Sequence, residues 1–367
     1  MKKFVTLLIL IVATAVYGAA GSGAGRNYEI LSRLSQGPGN VTVTGSGRII
    51  MSLHPFYAPE FSVVEYKGND RVIPFPNRAM NNRNVNSGLT LDSVLGIRTD
   101  PDGIVWMLDN GIRSSVTPKL VAWDTQKDQL YRVIYLPPPI APRNAFVNDF
   151  AIDKTHHRIF ISDPAGGPNA AIIVVDPRTG AARRVLQGHA SMAPENIDLV
   201  IDGRPIQVKN EDGKLSRPHI GVNPITEDLQ NEWVYFGPMH GLNLYRIRAA
   251  DLANDKLDDK ALGERVERYS AKPVSDGISI DRDQNIYLGE LAENAIGVIR
   301  PDRSYHRLAQ NSELSWVDSF SFGPEGKLYA VVNRLHLSAT LNGGDGLSKP
   351  PYFLLRVHAL APGMPGR

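Results

Sequence analysis

Apolar and polar residues alternate along most of this chain, in runs too short for helices. The stretch VSDGISIDRDQNIYLGEL, from Val274 to Leu291, has a polar lead-in, an alternating run, a tight polar turn, a second run and an acidic stop. Period-two alternation predicts strands, and two such runs around a turn predict a hairpin. Nearly the same phrase recurs as LGIRTDPDGIVWMLDNG from Leu95, VNDFAIDKTHHRIFISDPA from Val147 and VDSFSFGPEGKLYAVVN from Val317. Two further short strands follow the hairpin of 274–291, AIGVIRPD and SYHRLAQ, so the repeating unit has four strands. Units of this kind predict a propeller.

Six units can be laid along the chain. The first begins VTVTGSGRIIMSLH, the fourth is HIGVNPITEDLQNEWVYFGPMHG, and the sixth stops one strand short at FLLRVHA (353–359). The missing strand has a donor, because YEILSRLS (28–35) precedes the first unit and has no unit of its own. The expected fold is therefore all-β: a six-bladed β-propeller closed by an N-terminal strand that completes the last blade and leaves no free edge. One propeller domain is expected over 28–362, with a tail at 363–367 and a single helical stretch at 250–264.

In a propeller, strands A to D run outward from the axis in alternating directions. The lead-in to strand A and the B–C turn thus share one face. The turns on the other face are short here (DPDG, GPEG, DPRTG), whereas long excursions fall at 77–90, 137–146, 188–218 and 335–352, all on the first face. Long loops on one face of a rigid scaffold mark a binding face. The 188–218 excursion contains LVIDGRPIQV, a hairpin turning at Asp202-Gly203, which is placed to act as a lid.

Two sets of polar residues are expected around the axial mouth on that face. Asn148, Asp276 and Asp318 open inner strands at equivalent positions, with Asn40 near the same slot. His54, Asp109, Asp163, His240, Glu290 and Asn333 end second strands and are candidate ligand contacts, together with Trp316. Asp and Asn at strand ends also cap turns, so each has a plain structural reading as well. Converging carboxylates raise one another's pKa unless a cation neutralises them. Asn148, Asp276 and Asp318 are accordingly candidate ligands for a divalent cation, calcium or magnesium, and Asp276 and Asp318 candidate general bases. Trp106, Trp123 and Trp233 are expected to pack between blades, and His156-His157 to sit in a surface turn.

Composition narrows the classes. Of 367 residues, 42% are hydrophobic and 21% charged, enough to build a core, and the net charge of +2 offers no footprint for nucleic acid. The 33 glycines and 26 prolines suit many tight turns, and without cysteine there are no disulfides or thiolate metal sites. MKKFVTLLILIVATAVYGAA reads as a secretory signal peptide (1–20) cleaved near Ala20, followed by a linker (21–27). A monomer is expected, secreted or periplasmic, with a small-molecule ligand and no membrane insertion after cleavage.

The phrases LGIRTDPDGIVWMLDNG (95–111), KLVAWDTQ (119–126), VNDFAID (147–153), FISD (160–163), IIVVDPRTG (172–180) and SDGISID (275–281) resemble the major royal jelly protein/Yellow family in a bacterial form without disulfides. That resemblance implies a secreted six-bladed propeller with an axial ligand cavity. Insect members are linked to pigment chemistry and to binding of small molecules such as amines, and no catalytic signature carries over. A second pattern is similar to the senescence-marker/gluconolactonase propellers. It implies an axial calcium held by a Glu of the first blade, an Asn opening an inner strand and an Asp, and a metal-assisted lactonase activity. Asn148 and Asp276 match. The first unit has no such Glu; Asn40 stands near its slot, and Asp318 is the candidate to replace it.

Overall fold

A computed structural model describes residues 26–82 and 87–367. The expected signal peptide and residues 21–25 of the linker lie outside the described residues. The last two linker residues are tied down: Arg26 pairs with Glu313 at 3.1 Å, and Asn27 donates to Leu308 O at 2.6 Å while its own carbonyl accepts from His358 N at 2.9 Å.

Six four-stranded antiparallel sheets form the six blades. Their inner strands are Pro38–Val43, Val94–Thr99, Phe150–Asp153, Val222–Glu227, Ile278–Ile280 and Val317–Phe322, each in contact with the next and the last with the first. In the first five blades sheet order follows chain order. In the sixth, Val317–Phe322, Leu328–Val332 and Tyr352–Val357 are completed by Tyr28–Leu34 as the outermost strand. The closing pair is antiparallel, with Tyr28 opposite Val357 and Leu34 opposite Tyr352.

Burial follows the radius. The inner strands of blades one, two and six are buried throughout, whereas Gln129–Tyr135, the outer strand of blade two, is mostly exposed. Among the described residues the apolar side chains collect into seven clusters, six of which are the interfaces between neighbouring blades. Leu34 joins Val41, Met51, Val331 and Leu354 across the closing interface, so the N-terminal strand contributes to the core as well as to the sheet. Trp106 and Trp123 pack in these interfaces, and Trp233 packs against the one between blades four and five, with the guanidinium carbons of Arg246 and Arg248 3.8 and 3.9 Å from its ring centre.

The seventh cluster lies under the long loops and joins Leu199, Ile201, Ile206, Met239, Trp316, Leu335 and Leu341. The 188–218 excursion forms two small hairpins, Val200–Ile201 with Arg204–Pro205 and Val208–Lys209 with Leu215–Ser216. The first turns at Asp202 and Gly203, both left-handed (φ 49 and 76), the geometry a two-residue hairpin loop needs. Gln207 N donates to Leu341 O and Gly343 N to Gln207 O, both at 2.9 Å, which fastens this excursion to the 335–352 loop. Together they form a canopy over one end of the ring.

At the opposite end the tail is integrated into the fold. Arg282 N bonds Pro362 O, Gly366 N bonds Phe322 O, and the Arg367 guanidinium reaches Ile152 O at 3.1 Å and Asp228 O at 2.6 Å. Residues 362–367 therefore lie across the end of the channel away from the canopy. The segment has no alternation from which sequence could have placed it. The helical stretch is as expected, Ala249–Ala253 and Asp259–Gly263.

Candidate ligand site at the axial mouth

Four of the six inner strands begin with a kink where neighbouring blades crowd the axis. Pairing is interrupted between Pro38 and Asn40, Val94 and Ile97, Val222 and Ile225, and Val317 and Ser319. Neighbouring inner strands then approach closely enough to bond through their backbones: Gly96 N donates to Asn148 O and Gly277 N to Asp318 O, both at 2.7 Å. A Cβ at Gly277 would stand 2.3 Å from Asp318 O, so only glycine admits this contact. At this level one residue per blade reaches the axial cavity. These six, Gly39, Leu95, Asn148, Asn223, Asp276 and Asp318, line a single cavity of about 690 Å³ beneath the canopy.

A chain of hydrogen bonds runs around half of this ring. The Asn148 amide donates to Asn223 Oδ1, and Asn223 Nδ2 donates to Asp276 Oδ1 at 2.5 Å. The other oxygen, Asp276 Oδ2, accepts the Trp316 indole N–H at 2.8 Å, and Asp318 accepts from the Asn333 amide. One step deeper, Asp149 pairs with Arg98 at 3.0 Å, and Arg98 also donates to Asn40 Oδ1 and Phe320 O, each at 3.3 Å. Arg98 comes from the inner strand of blade two and is 5% exposed. It is the only basic side chain among these groups, and the one carboxylate it pairs with is Asp149.

Burial dominates the electrostatics. It pushes the Asp276 carboxyl up to about 7, opposed first by the Trp316 hydrogen bond and reinforced by the Asp149 charge. Burial also raises Asp318 well above the usual carboxylate range, with the Asp276 charge as the next cause. Asp149 is raised by burial and opposed by Arg98. His54 is pushed down to about 3 by burial and is therefore neutral, its Nδ1 accepting from Phe56 N at 3.2 Å.

The walls are apolar. Phe56 and Phe146 face one another with ring centres 6.2 Å apart, and Met239, Leu335 and Leu341 also line the cavity. Trp316 has its indole face against His336, 6.1 Å away at 8°, and is 1% exposed. It offers the cavity an edge and gives its N–H to Asp276. Its backbone is left-handed (φ 63), a conformation that costs a bulky residue about 1–2 kcal/mol and that the surrounding packing enforces.

Of the residues singled out by sequence, Asn40, His54, Asn148, Asp276, Trp316 and Asp318 line this cavity. Asp109, Asp163, His240, Glu290 and Asn333 do not. Asp109 accepts the backbone N–H groups of Asp92 and Ser93 and pairs with Lys119 at 3.4 Å. Asp163 accepts from Phe146 N and Ala165 N and pairs with Arg184 at 2.5 Å. Glu290 holds Arg307 through two bonds of 2.8 Å and accepts from Tyr305 at 2.7 Å. His240 Nδ1 accepts from Ile220 N, and Asn333 ties Pro38 O and Leu335 N to Asp318. These five fasten loops to strand ends. Asn223, Asp149 and Arg98 are the site residues that sequence reading missed.

Four of the six, Asn148, Asn223, Asp276 and Asp318, carry side-chain oxygens of the kind a hard cation takes. As placed, however, both Asp276 oxygens already accept N–H groups and Asp318 holds an amide. Among the described residues no three His, Cys, Asp or Glu side chains gather at metal-binding spacing. The arrangement fits a hydrogen-bonded carboxyl pair better than an ion cage.

A sequence profile described as major royal jelly protein matches residues 92–342, well over half of the chain. The chain belongs to the major royal jelly protein family. No curated protein matches this family member by sequence. Solved structures share its fold at low identity. A luciferin-regenerating enzyme is 11% identical at a TM-score of 0.57, over 93% of this chain and 98% of that one. A gluconolactonase from Xanthomonas campestris is 10% identical at 0.54, over 90% and 88%. A calcium-binding regucalcin from Agrobacterium tumefaciens is 16% identical at 0.51, over 92% and 96%. At such identities the likeness speaks for the propeller alone.

Proposed function

We propose that this royal jelly family protein binds a small molecule with a cationic, amine-type head and an aromatic or apolar body in the axial cavity. One observation carries the reading. Three buried carboxyls, Asp149, Asp276 and Asp318, line a cavity whose walls include Phe56, Phe146, Met239 and Leu341, and the one guanidinium beside them, Arg98, is paired with Asp149 alone. Buried like charges remain ionised only when something positive neutralises them, and otherwise they take up protons. An ammonium supplies the charge, donates to carboxylate oxygens, and leaves its apolar body to the phenylalanines. The cavity lies within the range of small-molecule sites, roughly 300–1,000 Å³.

The test is calorimetric titration with 2-phenylethylamine and with its neutral isostere 2-phenylethanol, in wild type and in Asp276→Asn. The amine is expected to bind at least about tenfold more tightly than the alcohol, with the preference abolished by the substitution. Equal binding of both, or an amine preference that survives Asp276→Asn and Asp318→Asn together, refutes the reading. A second reading places a divalent cation at the same floor, favoured by the four consecutive oxygen-bearing side chains from Asn148 to Asp318. A calcium-dependent rise in melting temperature, reversed by chelation and competing with the amine, supports that reading instead.

A further inference from the structure

His219 takes no part in the floor network, yet it lines the same cavity. It lies four residues before Asn223, on the segment running from the canopy into the inner strand of blade four. Four residues of chain span at most ~14 Å, and the His219 side chain is partly exposed where Asn223 is buried, so His219 stands on the solvent side of the cavity within that reach of the floor. Its Nε2 is 3.2 Å from Asp198 Oδ1. Asp198 also accepts the Arg217 guanidinium, and these two bonds, Arg217 first, hold its carboxyl below the usual range. A carboxylate at Nε2 makes that nitrogen the N–H and leaves the lone pair of the neutral ring on Nδ1. Among the described residues, no protein group hydrogen-bonds Nδ1. The neighbouring His240 ring, 5.9 Å away, is pushed down to about 4 by burial and adds no positive charge. The side chains of His219 and Asp198 are 29% and 35% exposed, so water reaches the pair.

We propose that His219, oriented by Asp198, is a general base that activates water to hydrolyse a carboxylic ester at the rim end of a ligand whose ammonium end is held at the floor. This rests on the amine reading of the floor. Nδ1 takes a proton from water as the water oxygen bonds to the acyl carbon. The acyl–oxygen bond then breaks, and the departing alkoxide takes the same proton back from the imidazolium. A carboxylic acid and an alcohol leave, with water as the only co-reactant and no redox change. Asp198 is a positioning residue that fixes the tautomer and steadies the imidazolium.

The probe is 4-(aminomethyl)phenyl acetate, which carries the ammonium and the ester on opposite sides of a ring, against neutral 4-methylphenyl acetate, with phenol release followed by absorbance. Wild type is expected to hydrolyse the cationic ester preferentially. His219→Ala should lower kcat by about a hundredfold or more with KM within about twofold. His219→Gln should behave alike, and Asp198→Asn should lower kcat by less, again at constant KM. Melting temperatures confirm that the variants fold. A wild-type rate equal to that of His219→Ala, or no preference for the cationic ester, overturns the proposal. Retained 2-phenylethylamine binding in that case leaves the floor reading standing, whereas loss of both removes the two together.

Discussion

The carboxyl pair makes a quantitative demand on stability. Asp276 titrates near 7 in the folded protein against an ordinary value of 3.8. A raised carboxyl pKa means that the folded state holds this proton more tightly than the unfolded chain does. The resulting stabilisation is complete below about pH 4 and is lost as pH rises through about 7. At ~1.4 kcal/mol per pKa unit, the ligand-free protein gives up as much as about 4 kcal/mol across that window from this one group. Asp276→Asn keeps the shape and removes the titration. Its oxygen can accept from Trp316, and its amide can donate to Asn223 once that amide turns over, at a cost of about 1 kcal/mol. Urea unfolding at pH 5, 6, 7 and 8, without ligand and in chelator, is the assay. Asp276→Asn should lie within about 1 kcal/mol of wild type at pH 5 and be more stable by about 2 kcal/mol at pH 8, where wild type buries the charge. A variant less stable than wild type at pH 8, or a difference that does not change with pH, refutes the reasoning.

Other substitutions probe separate parts of the fold. Arg98→Met leaves Asp149 without its guanidinium and should cost about 3–5 kcal/mol at neutral pH, less where Asp149 is protonated, as urea unfolding at pH 7 and pH 4 will show. Gly277→Ala drives a Cβ into the Asp318 carbonyl and should lower stability by at least about 2 kcal/mol in the same assay. Trp316→Phe removes the indole N–H from Asp276, raises that carboxyl further, and should move the pH midpoint of 2-phenylethylamine binding upward. Deleting residues 26–34 opens the sixth blade and should give a lower melting temperature and concentration-dependent self-association by light scattering.

The architecture was legible because four of the blades repeat one hairpin phrase and because YEILSRLS had no unit of its own. The site was half legible. Asn148, Asp276 and Asp318 fall in one column when the phrases are aligned on the apolar positions Phe150, Ile278 and Phe320. Asn223 stands in that column before Ile225, but GVNPI carries no polar hairpin phrase to draw attention to it. Asp149 was passed over because strict alternation points the residue after Asn148 away from the axis, yet both line the cavity. Arg98 sits on an otherwise buried strand, and sequence alone does not say which carboxylate it will meet. The strand-end residues Asp109, Asp163 and Glu290 carry the same polar signature as ligand contacts. Only three-dimensional placement shows that their oxygens are taken by backbone amides, Lys119, Arg184, Tyr305 and Arg307.

The way the ring is closed has a mechanical consequence. Tyr28 lies opposite Val357 and Leu34 opposite Tyr352, so the chain enters and leaves the closing strand pair at the same end. Tension applied through residues 27 and 358 loads these hydrogen bonds one after another, as in opening a zipper, instead of shearing them all at once. The same seam that spreads its energy over a blade interface against heat is therefore compliant to a pull on its ends. Moving the point of pulling from residue 27 to residue 35 would convert it to shear and raise the rupture force.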